Sequence, residues 1–356
     1  MILSRGGALL RAAAFAACAV VATVAVYLPW LGFDYRLEPR PSAVNDYWKA
    51  RVPDMIYGHA HRPYVLRTLV PSLTRLLRAT LRPPVDKKLE RVFYGPPAYL
   101  PRKMGVLGWE PAYLLEYVIA ISLAYLFLLG FPFALRSLAA SLYAAEWVRF
   151  VAPLMAVLAL PVFFSKGTHY LYDFPALTLF TLALALLARG RSRAFYWIFA
   201  VGTLNKETMV LATLVFVLTS WRSLPRATLL KHVAAQSLLF LAIQIVLRLI
   251  FAGTPGGAVE PHLEKNLILL ASSDGPLTLG LLGAIALLVL ARFDRKPAFL
   301  RKSLALLIPL GVSYLCFGIY GEIRVFYEAF PVLFLLAFQN VAEACGLHVR
   351  QNETRV

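Results

Sequence analysis

The chain has 356 residues, with 36 Lys and Arg against 19 Asp and Glu, a formal net charge of +17 and 60% hydrophobic residues. Its mean hydropathy is +0.67, and apolar stretches long enough to cross a bilayer recur along its length. These properties exclude an ordinary soluble domain and predict a polytopic membrane protein. Because the basic residues lie in short loops and one long loop, lipid and topology explain them, and nucleic acid is not an expected partner.

The apolar stretches have the pattern of helices rather than of outer-membrane strands. Residues 176–188 are apolar on every side and lack a period-2 alternation, so their backbone groups must be paired within a helix. We therefore predict an all-α polytopic membrane protein with one transmembrane domain over residues 1–356. It is expected to have about eight transmembrane helices and one re-entrant helical hairpin.

The first span covers about 8–30, and basic residues near its start place the N-terminus in the cytoplasm. Residues 31–110 then form a long extracytoplasmic loop, since loops of this length cross the membrane largely regardless of charge. Within this loop, residues 64–82 repeat Leu and Val at helical spacing among arginines. This pattern predicts an amphipathic helix in the membrane interface, kinked at Pro71.

The later spans are predicted at 111–135, 139–164, 171–188, 228–252, 276–292, 303–320 and 324–342. Residues 194–221 decide the topology, because the polar residues 205–208 interrupt this apolar stretch. A single crossing here would place the following basic clusters outside, against the positive-inside rule. A re-entrant hairpin that turns at 205–208 keeps every short basic loop and both termini in the cytoplasm, and we prefer it.

On this map, the polar residues set in or beside the spans collect on the extracytoplasmic side. Ionisable groups at membrane depth are costly, so they usually face a cavity and either pair or act. Lys206 and Glu207 either fix the hairpin as a charge pair or supply a phosphate-binding lysine beside an acid–base carboxylate. Arg324 and Glu328, spaced i to i+4, either pair on one helix face or offer a guanidinium for phosphate. Asp173 stands at the start of the fourth span.

The loops add further candidates. Asp46 follows the first span closely and is a candidate general base, although Asp34 and Asp54 compete for that role. His61 and its neighbour His59 lack a close third ligand, so phosphate or sugar binding is favoured over a metal site. The remaining predicted phosphate- or substrate-binding residues are Arg62, Arg67, His169 and Tyr170.

These features together resemble the GT-C superfamily of membrane glycosyltransferases, which use polyprenyl-phosphate-linked sugars. The shared features are a cytoplasmic N-terminus, an acid soon after the first span (Asp46), a long first outer loop with an interfacial helix, and polar breaks near the outer surface. The chain departs from the pattern in one respect. Many members carry Asp-x-Asp or Glu-x-Asp after the first span, whereas Asp34 and Glu38 are four residues apart.

The resemblance implies inverting transfer of a sugar from a polyprenyl-phosphate donor to a hydroxyl of a glycan, lipid or protein acceptor. It implies a site on the outer face of a bacterial inner membrane, in contact with membrane lipids and serving cell-envelope assembly. No cofactor is assigned, and a divalent cation is left open. The implied catalytic residues are Asp46, Asp173 and Glu207. The residues implied to bind the phosphate or the substrate are His61, Arg62, Arg67, His169, Tyr170, Lys206, Arg324 and Glu328.

Two other functions remain open at this point. The interrupted stretch 194–221 is similar to the broken helices of transporters, which favours a transporter or flippase of a lipid-linked or anionic substrate. A polysaccharide polymerase or ligase would use similar lipid-phosphate chemistry in a similar site.

Overall fold

A computed structural model of the chain describes residues 2–34, 49–81, 110–164, 170–257, 261–270, 275–318 and 323–352. The regular elements within these ranges are helical. The α-helices are α1 (Ile2–Asp34), α2 (Val52–Tyr57), α3 (Leu69–Thr80), α4 (Leu114–Leu142), α5 (Glu146–Ala159), α6 (Asp173–Ala188), α7 (Ser192–Asn205), α8 (Leu211–Ser220), α9 (Arg226–Ile250), α10 (Leu263–Leu270), α11 (Gly275–Leu290), α12 (Ala298–Ser303), α13 (Leu307–Phe317) and α14 (Phe330–Ala344).

Four helical segments are long and apolar enough to cross a membrane. They are Gly7–Trp30 within α1, all of α4, all of α9, and Ala298–Phe317, in which α12 continues through a 3-10 turn into α13. Shorter apolar helices cover Asp173–Ala188, Glu207–Ser220 and Phe330–Ala344. The prediction of a helical membrane protein is therefore confirmed.

The core lies around α4 and α6. Leu177, Ala183 and Leu184 of α6 are fully buried, as are Leu128 and Phe131 of α4. A helix that is apolar on all sides needs neighbours on all sides, and its central place explains the composition of α6. Because α6 is held at the centre of the bundle, the residues just before its first turn are held in position as well.

The two ends of α6 define the ends of the bundle. Tyr170 precedes this helix and Arg191 follows it, so we refer to the Tyr170 end and the Arg191 end. Helix α7 runs back to the Tyr170 end, where the Asn205 side chain donates to the Tyr172 carbonyl over 2.9 Å. Helix α8 then returns, since Phe216 borders the same cavity as Arg191.

The C-terminal residues lie at the Arg191 end. Arg189 donates to the Ser137 carbonyl over 2.8 Å, which brings the last turns of α4 to this end. The backbone N–H of Asn352 donates to the Leu142 carbonyl over 3.0 Å. The tail therefore closes on the same end of the bundle as the loop after α6.

The turn between the second and third predicted spans lies later than expected. Helix α4 continues to Leu142, and α5 begins at Glu146. The prediction ended the span at Arg136, but its guanidinium lies 4.3 Å from the centre of the Phe15 ring. Because this ring accommodates the charge on the helix surface, the helix does not have to end there.

The predicted interfacial helix over residues 64–82 is divided in two. Tyr64–Leu66 forms a 3-10 turn, and α3 begins only at Leu69. The predicted kink at Pro71 is wrong, because this proline lies in the first turn of α3, where its missing N–H would have no helical partner. In the break between the two helices, the Thr68 N–H donates to the Leu204 carbonyl over 2.9 Å.

Helix α3 is attached to the bundle by one buried carboxylate. Glu116 of α4 accepts from Arg78 over 3.3 Å and from the Tyr57 hydroxyl over 2.5 Å. Its side chain is 5% exposed. Both α2 and α3 are therefore held against the first turn of α4.

The last predicted span also differs from the structure. A 3-10 turn covers Ile323–Phe326, and α14 begins at Phe330. Arg324 and Glu328 thus precede α14 instead of lying on one helix face. The predicted i to i+4 pair is wrong, because Arg324 pairs with Asp173 at the start of α6, and Glu328 pairs with Lys206 just after α7.

Candidate functional site

Three ion pairs between distant parts of the chain lie at the Tyr170 end. Each pair joins a residue of one segment to a residue at least 122 positions away in sequence. The pairs are Arg67 with Glu207 at 2.8 Å, Lys206 with Glu328 at 2.8 Å, and Arg324 with Asp173 at 3.2 Å.

The break between α7 and α8 separates the two adjacent charges at its turn. Lys206 has an extended backbone, with φ −160° and ψ 138°. Successive side chains on extended backbone point to opposite sides. Lys206 therefore reaches Glu328, while Glu207 turns toward Arg67, and the two do not act as one charge pair.

Arg67 binds both carboxylate oxygens of Glu207 through two nitrogens of its guanidinium. Its Nη2 donates to Oε1 over 2.8 Å, and its Nε donates to Oε2 over 3.4 Å. A two-point contact of this kind fixes the plane of the carboxylate as well as its position. The geometry needs the fork of arginine, which lysine lacks.

Two stacked tyrosines connect the arginines of the site. The rings of Tyr170 and Tyr172 lie 5.1 Å apart with an interplanar angle of 9°. The Arg67 guanidinium carbon is 4.0 Å from the centre of the Tyr172 ring, and that of Arg324 is 4.3 Å from the centre of Tyr170. We call these four residues the Arg–Tyr stack. Cation–π attraction adds to the ion pairs in holding both guanidinium groups.

Asp173 and Glu328 are enclosed within the protein. Asp173 accepts from Arg324 and from the Tyr170 N–H, and its side chain is 3% exposed. Glu328 accepts from Lys206 and from the Thr208 hydroxyl, and its side chain is 1% exposed. Both carboxylates are therefore bound by neighbouring groups and shielded from solvent.

Glu207 differs from these two acids, because its side chain is 43% exposed while Arg67 still holds it. It is thus the carboxylate of the three pairs that a substrate can reach. Arg67, Lys206 and Arg324 each have 11% of their side chain exposed. The cations form the wall of the site, and Glu207 extends from that wall.

Electrostatics keep Arg67 charged and Tyr172 neutral. Burial alone would lower the pKa of Arg67, but the adjacent Glu207 carboxylate more than offsets this effect and holds the pKa above its usual value. Burial raises the pKa of the Tyr172 hydroxyl, although Arg67 and Arg324 act in the opposite direction. Tyr172 therefore contributes an aromatic surface rather than a base.

His61 and Arg62 lie in the neighbouring loop. The Arg62 N–H donates to the Pro255 carbonyl over 2.9 Å, and the His61 N–H donates to the Lys49 carbonyl over 2.9 Å. The Arg62 Nε is buried and has no hydrogen-bond partner among the described residues. Gly256, at φ 95°, packs so closely that an added Cβ would lie 2.6 Å from the Arg62 carbonyl oxygen.

The structure brings most of the predicted site residues together at this end. Asp46 and His169 lie outside the described residues. The residues that it places in the three pairs and the stack are Arg67, Tyr170, Asp173, Lys206, Glu207, Arg324 and Glu328.

Sequence reasoning assigned no role to Tyr64, Tyr172 or Thr208. Tyr64 lies 5.2 Å from Tyr170, between ring centres, and so continues the aromatic surface toward the loop. The Tyr-Leu-Tyr spacing before α6 was a usable signal for the stack, because alternate residues of a non-helical segment share one side. The Thr208 contact with Glu328 had no comparable signal.

Among the described residues, no group of three or more His, Cys, Asp or Glu could hold a metal ion. Asp173 and Glu328 are already bound by cationic side chains. No step of the chemistry proposed below is assigned to a metal.

Comparisons of this chain with known protein families, with curated proteins and with solved structures find no match. The fold and the site alone therefore define the class of protein. It is a helical membrane protein with a cluster of paired charges and stacked tyrosines at one end of its bundle.

Proposed function

We propose that this protein is a GT-C-like membrane glycosyltransferase that moves a sugar from a polyprenyl-phosphate donor to an acceptor hydroxyl at the Tyr170 end. One observation carries the proposal. Glu207 is oriented by a two-point contact with Arg67 and is nevertheless 43% exposed. A general base must be fixed in direction and accessible, and Glu207 meets these two requirements.

In the proposed reaction, the acceptor hydroxyl attacks the anomeric carbon of the donor sugar. The new bond joins the acceptor oxygen to that carbon, while the bond from the carbon to the phosphate oxygen breaks. The bonding electrons leave with the polyprenyl phosphate, and the hydroxyl proton passes to Glu207. Direct displacement inverts the configuration of the anomeric carbon.

Cations of the loop before Tyr64 would stabilise the leaving phosphate. Arg62 contributes a buried Nε without a hydrogen-bond partner among the described residues. Donors that are already in place where charge develops lower the barrier without reorganising during the reaction. In this scheme Arg62 and His61 bind the phosphate. Lys206, Arg324 and their acids hold the wall of the site.

The proposed topology has eight crossings and a re-entrant hairpin made of α7 and α8. The supporting geometry is that α7 reaches the level of Tyr172 through Asn205, and that α8 returns to the cavity beside Arg191. Basic residues concentrate at the Arg191 end, including those at 189–193 and 222–226. By the positive-inside rule, this end is cytoplasmic and the Tyr170 end is extracytoplasmic. We place the protein in a bacterial inner membrane.

The test is transfer of radiolabelled sugar from a panel of polyprenyl-phosphate sugars in membranes with matched expression. We expect Glu207→Gln to lower the rate by roughly 10²–10⁴-fold, the usual range for loss of a general base. Asp294→Asn is the matched control, because Asp294 is an exposed acid far from the site, in the loop before α12. It should keep the wild-type rate.

Two outcomes would contradict the proposal. Full activity in Glu207→Gln together with loss in Asp46→Asn would transfer the role of base to Asp46. Absence of transfer by the wild type with every donor, together with substrate-dependent flux in proteoliposomes, would favour a transporter or flippase. Formation of long chains from a single lipid-linked oligosaccharide would instead indicate a polymerase.

A further inference from the structure

A cavity lies at the Arg191 end, at the opposite end of the bundle from Glu207. Its volume is about 470 Å³, and it lies between the loop after α6 and helices α7, α8 and α9. Pockets for small molecules are typically about 300–1,000 Å³, so the cavity is large enough for a ligand of modest size. None of the chemistry proposed above uses it.

The inner wall of the cavity includes a buried amide without partners. Gln236 borders the cavity and is completely buried. Neither its Oε1 nor its Nε2 has a hydrogen-bond partner among the described residues. The Tyr196 hydroxyl lies close to this amide and contacts His232 Nδ1 at 2.8 Å. A buried donor and acceptor left unpaired are costly, which points to a ligand that supplies both partners.

The charged residues around the cavity indicate the charge of the ligand that it can bind. The described residues that border it include no Asp or Glu, while Arg189, Arg191 and His232 supply cationic or potentially cationic groups. Arg189 is already engaged with Ser137 and Ser141. Arg191 is exposed at the mouth and forms no salt bridge within the described part of the chain. The cavity therefore favours an anionic group at its mouth.

Aromatic and hydroxyl groups line the space between the mouth and the amide. Phe216 and His232 meet edge to face with ring centres 5.5 Å apart, and Phe195 borders the same space. Ser220 and Ser223 border the cavity on the side of α8. This surface suits a compact group that carries hydroxyls, because it offers both flat apolar contact and hydrogen bonds. A plain hydrocarbon tail would leave Gln236 unpaired.

We propose that this cavity is a binding site for a phosphate ester. Its hydroxylated part hydrogen-bonds to the Gln236 amide, and its phosphate lies at Arg191. A soluble polyol phosphate and the headgroup of phosphatidylglycerol share this chemistry. The site is independent of glycosyl transfer, and either source reaches it from the Arg191 end.

The experiment measures thermal unfolding of the full-length protein in detergent that contains no anionic lipid, with increasing glycerol 3-phosphate. The wild type should show an unfolding temperature that rises with concentration, because the ligand binds only the folded state. Arg191→Gln should weaken binding by about 10- to 100-fold, the effect of losing a hydrogen bond to a charged group. Arg193→Gln is the control, since Arg193 is exposed, close in sequence and absent from the cavity wall, and it should behave as the wild type does.

The variant Gln236→Leu also tests the proposal through its unfolding temperature without ligand. Without ligand, this variant should unfold at a higher temperature than the wild type, because an apolar side chain replaces an unpaired amide. It should also lose the shift caused by glycerol 3-phosphate. A lower unfolding temperature without ligand, or a full ligand-induced shift, would overturn the proposal.

The source of the ligand is determined by a parallel measurement in nanodiscs. A shift with glycerol 3-phosphate in detergent assigns the site to a soluble phosphate ester. A shift only in nanodiscs with phosphatidylglycerol, relative to pure phosphatidylcholine and dependent on Arg191, assigns it to a lipid headgroup. If neither condition produces a shift, or if Arg193→Gln abolishes it equally, the cavity is not such a site.

Discussion

Among single residues, the partner of each charge determines what its replacement does. Lys206 donates to Glu328, whose side chain is 1% exposed. Removing one member of a buried pair usually costs about 3–5 kcal/mol, because the other charge stays buried without compensation. We therefore expect Lys206→Ala to lower stability strongly. Thermal unfolding in detergent would measure this loss.

A second substitution separates stability from catalysis at this pair. The double variant Lys206→Met, Glu328→Leu removes both charges and should recover most of the stability lost in Lys206→Ala. If the double variant is no more stable than the single one, the two residues do not act as a pair. Transfer activity that stays absent in a stable double variant would show that the charges also serve the reaction.

Arg67 is expected to be sensitive even to a change that keeps its charge. Arg67→Lys retains a cation, but it cannot bind both oxygens of Glu207 or lie flat on Tyr172. We expect kcat/KM for sugar transfer to fall by roughly 10- to 100-fold, equivalent to a loss of about 1.4–2.7 kcal/mol. Arg75→Lys is the matched control, because Arg75 is exposed on α3 and, among the described residues, bonds to Ser72. Equal losses in both variants would exclude a specific role for Arg67.

Among the elements, we expect the attachment of α2 and α3 to α4 to weaken at high pH. Burial, and then the hydrogen bond to Glu116, raises the pKa of Tyr57 to about 12. A pKa that is higher in the folded state favours the folded state below the unfolded pKa of about 10, and this contribution disappears as the pH rises toward 12. The thermal stability of the wild type should therefore fall more steeply above pH 10 than that of Tyr57→Phe. Parallel curves for the two proteins would show that Tyr57 does not contribute.

Helix positions were predictable from the sequence because the bilayer requires long apolar segments with internally paired backbone groups. Some helix ends and the partners of some charges were not predictable from the sequence. Arg136 suggested a helix end, yet the ring of Phe15 accommodates it. The spacing of Arg324 and Glu328 suggested a helical pair, yet the helix begins at Phe330. Spacing describes only local neighbours, whereas the partner of a charge depends on how distant segments pack.

The candidate site was also predictable only in part from the sequence. Costly charges at membrane depth identified Asp173, Lys206 and Glu207 as a group that must pair or act. The sequence did not show which carboxylate is exposed, because that property depends on the turn at Lys206 and on the loop that contributes Arg67. The cavity beside Gln236 was also unpredictable, since a glutamine in an apolar helix does not show by its spacing what it faces.

For the whole molecule, the proposed topology predicts that two loops lie on opposite sides of the membrane. In a chain whose Cys18, Cys316 and Cys345 are replaced by Ser, we expect Gly253→Cys to react with an impermeant thiol reagent in intact cells. Ser223→Cys should react only after permeabilisation. Position 253 has open space for a side chain, and Ser223 is exposed. Labelling of position 223 in intact cells would overturn the hairpin and make residues 192–220 a crossing.

Two of the three ion pairs can form only when the last part of the chain has been synthesised. Glu328 is made 122 residues after Lys206, and Arg324 is made 151 residues after Asp173. Until then, the nascent chain holds an acid and a base at membrane depth without these two partners, a costly state that favours insertion of the last segment. A chain cut short before residue 324 would therefore lack the last helix and the partners of both Lys206 and Asp173.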